Sequence, residues 1–230
     1  MKTSDSIIKT TRTCPLCDSA SVGDYCRDNL RTYFRCGKCM LIFADPASHL
    51  SAEAEKARYS THQNKPHDQK YRQFLSRLAN PLVERLGKGT LTGIDFGCGP
   101  GPTLSIMLEE MGYEMSLYDP YFAKDDSALS KQYDFVTCTE TIEHFYTPRK
   151  EWLLMLNLLK PDGLLAIMTK LTNGIESFAQ WYYKNDLTHV SFFSRETFRC
   201  LADKDGLQVE FPADDVIIFK TASNSAAIPL

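Results

Sequence analysis

Ile94-Asp95-Phe96-Gly97-Cys98-Gly99-Pro100-Gly101 closes the apolar run 91–96 and leads into helical spacing over 103–111, which ends at the cap-like Gly112. A strand, a glycine-rich turn and a helix in that order form the opening unit of a parallel α/β sheet. Glycines at alternate positions let backbone pass close to a ligand, and the N-terminus of the following helix faces it. A nicotinamide-dinucleotide fingerprint would put its third glycine at position 102, where this chain has Pro102. Here the third glycine comes one position early, and Asp95 stands two residues before the first.

The pattern continues on both sides of the turn. Residues 113–118 read as a strand ending in Asp119-Pro120, 135–139 as another buried strand, 149–159 as a helix closed by Pro161 and Gly163, and 164–169 as a further strand. Strands and helices alternate, which predicts a parallel sheet with helices on both faces. The tail repeats the theme with a helix over 195–204 behind a Ser194 cap and strands over 207–211 and 216–220. Before the turn, Tyr71, Phe74, Leu75, Leu78, Leu82, Val83 and Leu86 keep helical spacing from Asp68 to Gly87, with Pro81 predicting a kink or break.

The first 46 residues read differently. Short β-branched or aromatic runs at 22–26, 31–35 and 40–44 predict hairpins, and Pro46 closes the module. Cys14-Pro15-Leu16-Cys17 and Cys36-Gly37-Lys38-Cys39, 18 residues apart, form two knuckles. Each two-residue gap turns both thiolates toward one ion, and four sulfur ligands in tetrahedral array select zinc. Such a site leaves no open position for water, so the zinc is expected to be structural. Cys26 reads as a small core residue. Residues 47–67 are polar, helix-prone over 52–59 and loop-like over 61–66, and read as a linker or lid; 68–230 form the main body.

Composition bounds the rest. The chain has 230 residues, 43% apolar and 24% charged, which suits one soluble domain with a small added module and excludes a disordered or collagenous chain. A formal charge of -3, from 26 Lys and Arg against 29 Asp and Glu, gives no global basic field for nucleic acid. The N-terminus lacks a secretory apolar core and no apolar run approaches the roughly 20 residues that span a bilayer. A cytoplasmic location without a membrane partner is therefore expected, where eight cysteines serve metal binding or burial rather than disulfides. No feature specifies an oligomeric state.

The glycine turn resembles the first motif, Asp-x-Gly-x-Gly-x-Gly, of the class I S-adenosylmethionine (SAM) dependent methyltransferases. The resemblance covers residues 90–170. Asp119 lies 22 residues after Gly97, at the end of the next strand. The run from Tyr133 through Thr139-Glu140-Thr141-Ile142-Glu143-His144 is similar to the family's fourth strand and Glu-His turn. Leu158-Leu159-Lys160-Pro161-Asp162-Gly163-Leu164-Leu165 is similar to its turn into the fifth strand. The resemblance implies a Rossmann-like doubly wound sheet and SAM bound by Asp95, Phe96, Gly97, Cys98, Gly99, Gly101, Asp119, Pro120, Thr139 and Glu140, with Asp119 accepting the ribose hydroxyls. Only 14 residues separate Asp119 from Asp134, so the third strand is expected to be missing or vestigial, and with it the family's adenine-contacting acid.

Methyl transfer from a sulfonium is an in-line displacement, so the protein aligns the acceptor and, where needed, removes a proton. Histidine is the side chain that titrates near neutrality. Of His49, His62, His67, His144 and His189, three are candidate catalytic residues: His144 after the fourth strand, His189 in an acceptor-side loop, and His62 in the lid with Tyr59. Phe178, Trp181, Tyr182 and Tyr183 either pack a helix or line an acceptor pocket. No Asn-Pro-Pro-Tyr or Pro-Cys motif is present, which argues against adenine-amino and cysteine-dependent cytosine methylation. A zinc ribbon before such a body resembles bacterial enzymes acting on small molecules or ribosomal RNA. The expected acceptor is a small molecule, methylated on oxygen, nitrogen or carbon. The alternatives are RNA docked by the ribbon, which has seven Lys and Arg against four Asp through residue 44, and a silent SAM-binding adaptor.

Overall fold

The computed structural model describes residues 12–61, 64–87 and 89–221. The cysteine module contributes β1 (Val22–Arg27), β2 (Thr32–Cys36) and β3 (Ile42–Ala44). Helix α1 (Ala52–Tyr59) starts where the Ser51 side chain accepts from the Ala54 amide, and α2 (Gln69–Arg85) where Asp68 accepts from Lys70 and Tyr71. The body follows as β4 (Thr92–Phe96), α3 (Thr103–Glu110), β5 (Glu114–Tyr118), β6 (Tyr133–Thr139), α4 (Pro148–Asn157), β7 (Leu159–Met168) and α5 (Ile175–Ala179). It ends with β8 (Ser191–Phe192), α6 (Arg195–Asp205), β9 (Gln208–Ala213) and β10 (Val216–Lys220).

Six strands form the main sheet in the order β5-β4-β6-β7-β10-β9. The first four are parallel, and β10 runs antiparallel to both β7 and β9. The last pair departs from the parallel expectation because β9 and β10 are joined by a turn too short for a crossover. Two-residue periodicity divides the core. Leu164, Ala166 and Met168 of β7 and Val216 and Ile218 of β10 pack with α2 and α3, while Leu165, Ile167, Ile217 and Phe219 pack with α4 and α6. Helices therefore cover both faces. No strand lies outside β5 among the described residues, so the third strand of the full fold is absent as expected.

Two local expectations are narrowed. Helix α2 continues through Pro81, so the chain does not break there; its buried Leu75, Leu78, Ala79 and Leu82 hold the helix against the sheet across the lost main-chain donor. Pro161 and Gly163 lie inside β7 rather than in a closing turn. The β6–β7 register shifts between Tyr133 and Phe135, and Asp162 has a φ of 64°, the mark of a bulge.

The cysteine module is joined to the body by main-chain pairing. Its sheet has the order β1-β2-β3-β8, and β8 comes from the body. Ile42 pairs with Phe192 and Phe43 with Ser191. No described helix is long and apolar enough to cross a membrane.

Candidate active site

The carboxyl ends of β4, β5 and β6 open onto one cavity of about 760 Å³, where ligands sit in open parallel sheets. The glycine turn forms one wall. The amides of Gly97 and Cys98 donate to the Tyr118 carbonyl, at 2.7 and 3.3 Å, which stitches the turn to β5. Gly97 has a φ of +81°, and a side chain there would meet Thr141 at 2.1 Å; Gly99, at φ +63°, has nothing within 4 Å. Gly97 thus permits close packing on the β6 turn, while Gly99 presents bare backbone to the cavity.

Asp119 is buried at the end of β5, and its carboxylate already holds three amides. Oδ2 accepts from Gly99 at 3.0 Å, and Oδ1 accepts from Tyr121 and Phe122 at 2.8 and 3.0 Å. A carboxylate offers about four acceptor positions, so Asp119 both builds the turn and keeps capacity for a ligand hydroxyl. Asp95, fully buried, accepts from Thr137 at 2.7 Å and Ser105 at 3.2 Å, tying β4 to β6 and α3; burial raises its carboxyl to about 6. Phe96, Cys98, Gly101 and Pro120 line the same cavity. Burial also pushes the thiol of Cys98 up to about 12 and that of Cys138 well above the ordinary value, so neither is a ready nucleophile.

Two acceptors beside the turn suit the ammonium group of an amino-acid moiety such as that of SAM. Thr139 Oγ1 and Glu140 Oε1 are buried without a hydrogen-bond partner, and both residues line the cavity. Buried polar atoms are rarely left unpaired, and a ligand bearing an ammonium group would satisfy both as acceptors. Glu140 has a φ of 47°, a costly conformation for a residue with a Cβ. Burial first, and then Glu143, raises its carboxyl to about 8.

The opposite wall carries Glu143, His144 and His189. His144 ends a short 3-10 turn directly after β6, and its ring centroid lies 4.7 Å from that of His189. His144 Nδ1 faces the Thr188 carbonyl at 3.1 Å, and His189 Nδ1 faces the Tyr183 carbonyl at 2.7 Å. A carbonyl only accepts, so each Nδ1 carries the proton and each Nε2 is the basic nitrogen. Buried Glu143 accepts from Thr169 at 2.9 Å and from the Tyr183 hydroxyl. One nitrogen of each ring and a Glu143 oxygen all lie within 4.8 Å of one another, a set suited to proton transfer and able to hold a cation. Burial keeps the His189 imidazole below its usual pKa.

Sequence reasoning missed several of the groups around this wall. Glu55 of α1 is buried in the cavity lining and accepts from Tyr59 at 2.6 Å and Tyr121 at 2.7 Å. Arg58 donates to Asp186 in the loop before His189, at 2.9 and 3.1 Å. A polar helix and a loop aspartate give no sequence signal for such contacts, whereas Glu143 could have been singled out beside His144. His62 lies outside the described residues. The His49 ring lies tilted against that of Tyr146, centroids 4.4 Å apart, and His49 is not among the residues lining the cavity.

A second site is formed by Cys14, Cys17, Cys36 and Cys39, all buried, with their sulfurs within 4.8 Å of one another. Cys14 and Cys39, and likewise Cys17 and Cys36, are 3.5 Å apart, near the roughly 3.8 Å between thiolates on a tetrahedral ion with 2.3 Å bonds. Both knuckles end in a left-handed residue, Asp18 at φ 60° and Met40 at φ 63°. The amides of Lys38 and Cys39 donate to the Cys36 sulfur.

A family model described as a methyltransferase domain matches residues 45–210. Among curated proteins, the ubiquinone biosynthesis O-methyltransferase of Salmonella paratyphi A is 32% identical over 95 residues, 40% of this chain and 39% of that protein. The counterpart from Salmonella newport is 31% identical over the same length. The chain thus spans about two fifths of the length of the curated relatives it matches. Among solved structures, an O-methyltransferase family protein from Burkholderia thailandensis aligns with a TM-score of 0.47 at 17% identity, covering 74% of this chain and 64% of that one. Magnesium protoporphyrin IX methyltransferase from Synechocystis PCC 6803 aligns with a TM-score of 0.46 at 15% identity, covering 74% and 94%. With more than half of its length matched by the family model, and with the glycine turn at the head of a shortened doubly wound sheet, the chain belongs to the class I, SAM-dependent methyltransferases.

Proposed function

We propose that this methyltransferase binds SAM along the glycine-turn wall and methylates a small molecule held against His144 and His189. The cavity itself carries the reading. Its volume of about 760 Å³ falls in the range of small-molecule sites, and α1 closes over it through Glu55 and Tyr59. The curated relatives, named for O-methylation in ubiquinone biosynthesis, support a small organic acceptor. Four cysteines required as thiolates accord with a reducing, cytoplasmic setting.

When bound, SAM supplies an electrophilic methyl group. The Phe96–Gly99 turn and Asp119 would hold its nucleoside part, and Thr139 Oγ1 and Glu140 Oε1 would accept from its ammonium group. His144 or His189 takes the acceptor's proton at Nε2, since Nδ1 of each ring is held to a carbonyl. Glu143, within 4.8 Å, offsets the positive charge of the imidazolium that forms. These groups serve an oxygen, nitrogen or carbon acceptor alike. Zinc, one ion per chain on Cys14, Cys17, Cys36 and Cys39, has a structural role.

RNA is the less favoured acceptor because three of the ribbon's four arginines have partners within the protein. Arg12 pairs with Asp45 and covers Phe34 at 3.6 Å, Arg35 lies over Tyr25, and Arg31 is buried. The test supplies labelled methyl-SAM and cell extract separated into RNA, protein and metabolites. Label is expected in metabolites; label in RNA, with a salt-dependent gel shift, would overturn the small-molecule reading.

A further inference from the structure

Arg31 stands just before β2 and is 5% exposed, yet its guanidinium serves uncharged oxygens. Nε donates to the Tyr33 hydroxyl at 2.9 Å, Nη1 to the Leu187 carbonyl at 3.1 Å, and Nη2 to the carbonyls of Lys184 at 2.6 Å and Asp186 at 3.0 Å. Four of its five N–H groups are thereby used. Three of those bonds converge on one short loop of the body, more than 150 positions along the chain. A planar fork of donors holds such a set of acceptors in fixed relation, which a point-charge lysine does not.

The carbonyls on either side of that grip, Tyr183 and Thr188, are the ones that receive Nδ1 of His189 and His144. Beyond His189 the chain is held again. The Ala44 amide of β3 donates to the Val190 carbonyl at 2.9 Å, the Val190 amide donates to the Glu143 carbonyl at 2.8 Å, and β8 joins the ribbon sheet. The cysteine module therefore brackets His189, by Arg31 before it and by β3 after it. β2 itself runs from beside Arg31 to Cys36, so the thiolate cluster and the arginine lie at opposite ends of one strand.

We infer that Arg31 is a positioning residue: by fixing the 184–187 loop, it sets the Nδ1–H tautomer of His144 and His189, so that Nε2 is the basic nitrogen of each ring. The cysteine module then belongs to the acceptor half of the active site. This inference rests on the proposed use of those histidines, but its first readout needs no acceptor.

The experiment uses the full zinc-loaded chain labelled with ¹⁵N-histidine. Long-range ¹H–¹⁵N correlation spectra distinguish the two tautomers, recorded at about pH 8, where imidazole is neutral. His144 and His189, assigned by their alanine variants, are expected in the Nδ1–H form. In Arg31→Gln both should shift toward a mixture with the Nε2–H form, while zinc content is unchanged and SAM affinity stays within about threefold. With an acceptor in hand, kcat should fall about 10- to 100-fold, as for a misplaced catalytic group. Unchanged tautomers in a folded, zinc-loaded Arg31→Gln would overturn the inference whatever its activity. Altered tautomers with undiminished transfer would uphold it and count against the histidine base. If Arg31→Gln does not fold, Arg31→Lys is read by the same criteria; unfolding of both would overturn a positioning role in favour of general stability.

Discussion

The two walls of the cavity are built on opposite plans. The wall proposed to hold the cofactor comes from short stretches, the 95–101 turn, the 118–122 turn and the 139–141 turn, with Asp119 linking the first two through backbone amides. The wall proposed to face the acceptor is made of side chains drawn from far apart. Glu55 comes from α1, Glu143 and His144 from the turn after β6, and His189 from the loop before β8, a loop held by Arg31 of the ribbon. A shared cofactor can be gripped by backbone whose geometry a few glycines specify, whereas an acceptor requires side-chain chemistry assembled through tertiary structure.

Breaking the ribbon should have the largest effect. Cys36→Ser is expected to abolish zinc binding and unfold the module, because structural zinc is coupled to folding by roughly 10 kcal/mol or more. Metal analysis and hydrogen exchange over 184–193 would measure it, and a stoichiometric ion retained in the variant would count against the site. The histidines test the acceptor wall directly. His144→Ala or His189→Ala should lower transfer by about 100- to 10,000-fold if that residue is the base, with SAM affinity maintained; full turnover in both would leave alignment alone as the mechanism.

On the cofactor wall, Asp119→Ala removes a ligand acceptor and the support of three amides. Calorimetry should show SAM binding weaker by about 1.5 to 3 kcal/mol, and unchanged affinity would remove Asp119 from the binding site. The subtlest effect concerns protons. Glu140 titrates at about 8 in the fold, raised by burial, against about 4.3 in an unfolded chain. The folded protein thus holds a proton that the unfolded chain has lost, and this contribution to stability declines as pH rises from about 4.3 to about 8. Denaturant titrations should find a shallower decline in Glu140→Gln. Binding of a cation against Glu140 should also release a proton near neutrality, visible as a buffer-dependent heat.

This difference between the walls explains what the sequence made legible. The turn from Asp95 to Gly101, the four cysteines, the alternating strands and the lost third strand are local patterns whose spacing carries their geometry. The contacts of Glu55 with Tyr121 and of Arg31 with Lys184 span 66 and 153 positions, and such pairings leave no mark in a single chain. At Pro81 the local cost of proline and the apolar face of α2 pointed in different directions, and burial of that face keeps the helix unbroken. The Glu-His pair was visible as residues, but its tautomers depend on carbonyls from a distant loop.

The pairing of Ile42 with Phe192 and Phe43 with Ser191 also bears on how the chain reaches its native state. During synthesis the cysteine knuckles leave the ribosome before the fourth strand of their sheet, which arrives about 150 residues later. The entropy of closing so long a loop grows only slowly, by about 0.6 kcal/mol per doubling, but contacts of such high sequence separation slow folding. The proposed capture of zinc by the four cysteines can therefore precede completion of the sheet. Until residues 191–192 dock, β3 presents an open edge, so the ribbon sheet is exposed to mispairing in the interval before β8 arrives.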